Sequence, residues 1–223
     1  LSAVLTAQEQ EKQLSLELYP QWFSYHNYTL QGNIGIDRVF EHNHSTQYFA
    51  KPSGTLAIDN NWALHGGLGL YYKDYQTSLN RWEVRPYIGV SHFTDIAEKW
   101  TISSYLRAEE RYYSYNSDKD STNHSRVRLR VRTSHKFDSH SLLSSWSKFT
   151  AGAELFKSEN ADQDLTVDDL RYDYETRVVL GLERHLQNKN KIRYELAWKY
   201  KSLPDKLIDS AVNTVYFKIK YYP

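Results

Sequence analysis

The chain has 223 residues, about the length of one large domain or two small ones. It has no Cys, which excludes disulfides, thiolate metal sites and a cysteine nucleophile, and 28 basic against 27 acidic residues leave a net charge of +1, which argues against nucleic-acid binding. Mean hydropathy is low at −0.72, yet aromatics reach 15% with 19 Tyr and 6 Trp, too many for a disordered chain.

Residues 1–7 read either as the tail of a cleaved signal peptide or as mature sequence, and the absence of Met points to a processed chain. From there onward the dominant signal is an alternation with period two. It predicts strands at 13–23, 28–40, 46–58, 62–73, 81–93, 100–115, 124–137, 146–157, 170–184, 189–201 and 211–222. Most are about 10–15 residues long, against ~5–6 for the strands of soluble sheets. A strand needs ~9–11 residues to cross an outer membrane. Residues 59–61 and 94–99 read as compact turns, whereas 74–80, 116–123, 158–169 and 202–210 are longer and polar. Short turns on one side and longer loops on the other suit an outer-membrane barrel. No linker or low-complexity run divides residues 1–223, so they form one domain.

One face of these strands is nearly free of charge: Leu14, Leu16, Leu18; Leu30, Ile34, Ile36; Trp62, Leu64, Leu68, Leu70; Val84, Ile88, Val90; Ile102, Leu106; Val127, Leu129, Val131; Val178, Leu180, Leu182; Ile192, Leu196; Phe217, Ile219. Trp22, Trp62, Trp82, Trp100, Trp146, Tyr112, Tyr172, Tyr200 and Tyr221 fall near strand ends, where half-apolar rings suit a headgroup layer. The other face carries Arg81, Glu83, Arg85; Arg107, Glu109, Arg111; Arg126, Arg128, Arg130, Arg132; Glu154; Glu175, Arg177; Arg193, Glu195, Lys199; Lys218 and Lys220. A soluble barrel would bury this face at several kcal/mol per unpaired ion. A wet lumen hydrates it. The expected fold is therefore an all-β antiparallel transmembrane β-barrel.

Strand parity sets the count. If the last strand ends in the periplasm, the strand at 13–23 begins outside the cell, and an even-numbered barrel then needs one more strand from residues 1–9. Twelve strands are expected, with ten as the alternative.

Ten arginines form the expected solute-binding lumen: Arg81, Arg85, Arg107, Arg111, Arg126, Arg128, Arg130, Arg132, Arg177 and Arg193, with Glu83, Glu109, Glu154 and Glu175 as counter-charges. Surplus acids sit in the loops, so bases outnumber acids on the inner face by roughly two to one. Such a lumen would concentrate small anions. The competing reading is a ladder of salt bridges, Glu83 and Arg85 facing Arg111 and Glu109, that fills a closed barrel.

No catalytic or metal constellation stands out, so no enzyme activity and no cofactor are expected. His42-x-His44 lies in a loop. Ser91 and His92 are adjacent on a strand and point to opposite faces, so they cannot form a dyad.

The segments 62–72 and 82–93, the Arg107-x-Glu109-x-Arg111 and Arg126–Arg132 strands and the last strand at 215–221 together resemble the acidic-sugar porins of the outer membrane, the oligogalacturonate-specific and N-acetylneuraminate porins of the KdgM and NanC kind. The same Arg/Glu pairing equally resembles small outer-membrane barrels of unknown function. The first resemblance implies a monomeric porin in a bacterial outer membrane that passes small anionic solutes, with acidic oligosaccharides as the candidate class. Outer-membrane lipid and lipopolysaccharide are then its surroundings. The alternative is a closed accessory barrel that partners another protein.

Overall fold

The computed structural model describes residues 9–40, 44–75, 80–116, 121–137, 146–159, 174–186, 190–202 and 212–223. Every regular element among them is a strand: β1 (Glu9–Leu18), β2 (Gln21–Tyr25), β3 (Tyr28–Gln31), β4 (Ile34–Val39), β5 (Ser45–Ala50), β6 (Ser53–Ala57), β7 (Trp62–Tyr75), β8 (Arg81–Ala97), β9 (Trp100–Tyr115), β10 (Thr122–Lys136), β11 (Lys148–Glu159), β12 (Tyr174–His185), β13 (Lys191–Ser202) and β14 (Val212–Tyr222).

The strands β7 to β14 pair antiparallel in chain order, β14 pairs with β1, and β1, β4, β5 and β7 complete the ring. Closure removes the unpaired edges that an open sheet would present. Eleven strands make the ring and three lie outside it. Those three are continuations. Tyr19-Pro20 separates β1 from β2, Gly32-Asn33 separates β3 from β4, and Lys51-Pro52 separates β5 from β6. Proline has no N–H to give to a ladder, so the strands break at Pro20 and Pro52. The neighbours bridge the breaks: Gly32 N–H donates to the Pro20 carbonyl at 2.8 Å, Leu68 N–H to that of Pro52 at 3.0 Å, and Asn33 and Lys51 exchange backbone bonds at 3.1 and 2.8 Å.

The register shows how far the strands lean. A line of paired residues leaving β1 at Gln10 for Asn213 and Tyr200 returns through Leu64, Leu56 and Tyr28 to Tyr25 on β2. The offset is roughly 15 residues along the same segment, and such stagger goes with strands tilted about 35–45°.

The two faces fall as alternation dictates. Val127, Leu129 and Val131 point outward and are 46%, 41% and 45% exposed, while Arg126 between them and the lumen is 5% exposed. Trp82, Tyr112 and Tyr48 point outward toward one end of the ring, and Trp62, Phe93 and Trp100 toward the other. Tyr172 lies outside the described residues. Among the described residues, Val179, Ala197 and Tyr216 pack as a small apolar cluster inside the ring, and rings such as Phe49 and Phe156 are buried among many polar and charged side chains.

Among the described residues the ring holds eleven strands, against the twelve expected. The parity argument assumed that the first and last strands run antiparallel. They run parallel instead, Leu14 beside Phe217 and Leu16 beside Ile219. With β4 on its other edge, β1 has no edge left for a further strand along this stretch. Residues 1–8 are outside the described residues. Boundaries also shift. The first predicted strand begins at Glu9, and the predicted turn at 94–99 shrinks to Glu98-Lys99 because β8 continues to Ala97.

Candidate functional site

Four inward carboxylates, Glu83, Glu109, Glu154 and Glu195, each gather two or three cations. On β8, Glu83 sits one pleat from Arg85, and Arg111 reaches it from the neighbouring strand β9. Arg85 Nε donates to Glu83 Oε1 at 2.8 Å and Arg111 Nε at 2.6 Å. Residues two apart on one strand share a face at about 7 Å spacing, which a guanidinium can span. Glu109 faces Arg126 directly in the register and pairs with it, with Arg107, and at 3.9 Å with Arg85. Glu154 takes Arg128 at 2.8 Å, Arg132 at 3.2 Å and Arg177 at 3.8 Å. Glu175 pairs with Arg177 as well. Glu195 reaches Lys220 at 2.7 Å, and both Arg193 and Arg132 at 3.7 Å. Glu17 and Lys218 pair at 2.8 Å across the parallel seam. All these carboxylates are buried. A buried ion is tolerated only when opposite charge and hydrogen bonds replace its water.

Aromatic faces support the guanidinium groups. Arg107 lies 4.0 Å from the centre of the Tyr87 ring and Arg85 4.2 Å from that of Tyr71. Phe156, 2% exposed, has Arg177, Arg126 and Arg128 within 4.4, 4.7 and 5.1 Å of its centre. Such contacts gain about 0.5–2 kcal/mol each, more where water is excluded. Arg130 differs from its neighbours on β10. It lies over Tyr105 at 4.8 Å and makes no ion pair among the described residues. Gly67 leaves room for this packing: a Cβ there would come within 2.6 Å of the Tyr87 ring.

A cavity of about 580 Å³ lies within the ring. Arg81, Arg85, Arg107, Arg111, Arg126, Arg128, Arg130, Arg132 and Arg177 line it, as do Glu154 and Glu175. Glu83 and Glu109 sit behind the guanidinium groups, 2% and 4% exposed, and Arg193 is held by Glu183 at 2.6 Å. The inward arginines all come from β8 to β13. The other side of the lining, from β1, β4, β5 and β7, carries Gln13, Asn33, Gln47, Ser45 and His65, with Glu11, Glu17 and Asp37. Lys51 and Lys73 also reach the cavity from that side. Sequence reading missed both: Lys51 stands at the break beside Pro52, where alternation stops, and Lys73 is the single inward charge of its strand.

Ser91 does have a histidine partner, though not His92, which packs outside against Trp62 with ring centres 4.4 Å apart. Ser91 Oγ meets His65 Nε2 at 2.7 Å, and His65 Nδ1 meets Thr55 Oγ1 at 3.0 Å. The three residues come from β8, β7 and β6, so this chain of hydrogen bonds crosses three neighbouring strands. Ser91 is only 4% exposed. The chain braces the wall. His42 lies outside the described residues.

The chain matches the family described as a protein of unknown function (DUF2490) over residues 13–210, and belongs to it. No curated protein matches it. Among solved structures it is similar to the NanC porin in a rhombohedral crystal form, with a TM-score of 0.52 and 13% identity over 87% of this chain and 86% of that one. That likeness is one of fold: a porin-like, all-β closed barrel.

Proposed function

We propose that this chain, a member of a family without an assigned function, is an outer-membrane channel that passes small anionic solutes, with acidic oligosaccharides as the candidate class. The observation that carries the reading is the cavity lining, where 15 lysines and arginines stand against 6 carboxylates among the described residues. Low-dielectric walls focus the field of such a surplus and raise the local concentration of anions. The apolar, outward-facing belt supports placement in a membrane.

The purified protein in planar bilayers under a salt gradient tests it. A steady conductance with a reversal potential on the anion side is expected. Absence of conductance, or cation preference, would overturn the reading. The membrane placement has its own test. Leu129 points outward from the middle of β10. Leu129→Arg should cost about 2–4 kcal/mol of barrel stability if that face meets lipid. A change below about 0.5 kcal/mol, the usual scale for a water-exposed surface position, would count against lipid there.

A second reading is favoured by the carboxylate clusters. Glu109 and Glu154 each hold three arginines, which stiffens the wall as a closed accessory barrel would require. The same bilayer experiment separates the two, since a closed barrel conducts nothing.

A further inference from the structure

Arg130 stands apart from the arginines around it. Near the middle of β10, it lies in the register between Tyr105 on β9 and Glu154 on β11. Glu154, though opposite, is taken by others: Arg128, Arg132 and Arg177 all pair with it. Two of those three hold a second carboxylate as well, Arg177 with Glu175 and Arg132 with Glu195 at 3.7 Å. Arg130 holds none among the described residues, and rests over the Tyr105 ring at 4.8 Å.

Its donors also face open space. Arg107, Arg128 and Arg132 each have Nε shut away from the cavity, whereas the guanidinium nitrogens of Arg130 are open to it. The ring beneath is fixed. Tyr105 is buried, its ring meets the edge of His65 with centres 5.3 Å apart, and His65 is held on both nitrogens by Ser91 and Thr55. A guanidinium already placed over a fixed ring has less freedom to lose when it binds.

We infer that Arg130 is the point at which the lumen binds one carboxylate group of a solute, while the arginines held by Glu83, Glu109 and Glu154 supply the surrounding field without bonding it. A guanidinium takes a carboxylate at two points along one edge, charge for charge. Glu154 beside it repels a second negative group, so a single carboxylate fits where a dianion does not. A solute held by one such pair, and not by several at once, also leaves readily, as conduction needs. The site deepens the channel reading by naming the bonding residue and the anionic group, and rests on that reading only for passage.

Equilibrium dialysis of radiolabelled glucuronate against the purified full chain in detergent, at fixed ionic strength, tests the site. Binding should saturate at a single equivalent per chain. Unlabelled glucuronate should displace the label, and glucose, which has the ring hydroxyls but no carboxylate, should not. Arg130→Gln should weaken binding by about tenfold, the scale of a lost hydrogen bond to a charged group. Arg130→Lys keeps the charge but loses the second point of attachment, so it should weaken binding only a few-fold, which separates loss of the site from loss of folding. More than a single equivalent bound, or affinity unchanged in Arg130→Gln, would overturn the inference even in a barrel that conducts anions. A single equivalent bound through Arg130 in a barrel that conducts nothing would uphold the site and overturn the channel.

Discussion

Replacing Arg128 and Arg130 together with Gln is expected to shift the reversal potential of the reconstituted barrel toward cations, lowering the anion-to-cation permeability ratio by about tenfold, the low end of what a focusing charged cleft contributes. Both side chains line the cavity. Arg130 has no carboxylate to leave behind, and Glu154 keeps Arg132 and Arg177 when Arg128 is lost. The variant therefore removes charge with little damage to the pairing around it. Arg128→Lys with Arg130→Lys should keep most of the anion preference, because it preserves charge while losing the two-point guanidinium geometry. Glu109→Gln should move the potential the other way. If the Gln pair conducts with unchanged ion preference, these arginines do not set selectivity.

Glu154→Gln should be the most destabilising single change in the lumen. The carboxylate is 2% exposed and answers Arg128, Arg132 and Arg177 together. Its loss takes from Arg128, Arg132 and Arg177 the carboxylate they share, and breaking a buried pair from one side costs about 3–5 kcal/mol. Urea unfolding of the protein in detergent micelles, followed by tryptophan fluorescence, reads this directly. Adding Arg128→Met to the Glu154→Gln chain should recover part of the loss, since the pair is coupled. Equal midpoints for the parent and the single variant would show that water in the lumen, rather than Glu154, offsets the charge.

The faces were legible in the sequence because a strand has only two of them. Arg126, Val127, Arg128 and Leu129 announce which side is which, and their exposures follow. Pairs within one hairpin were partly legible: Glu83 with Arg111 and Arg85 with Glu109 were expected and are found, whereas Glu109 with Arg126 needs a register that a slip of two residues would change without altering the faces. Arg132 with Glu195 was not, because two strands intervene between β10 and β13 and the contact reaches across the lumen. Alternation encodes neighbours along a sheet and is silent about chords through a ring. The eleven strands among the described residues depart from the expected count for a related reason. Parity presumes antiparallel closure, and nothing in the alternation of residues 9–18 says which way the closing partner runs. The strand expected at 46–58 breaks at Pro52, and the break brings Lys51 to the lumen, which the alternation does not encode.

The arginine-bearing half of the ring and the opposite half differ mechanically. From β8 to β13, each of the five interstrand gaps is spanned by a guanidinium as well as by the backbone ladder. From β1 to β7 the strands are interrupted three times, and Gly35 and Gly67 leave short side chains where the other half has long ones. Segments with fewer side-chain ties open and bend at lower free energy. The cross-section thus behaves like a bow, with a stiff arc of charge and a compliant arc of hydroxyls and amides. A solute wider than the resting bore would enter by bowing the compliant arc outward, while the charges that hold it keep their spacing.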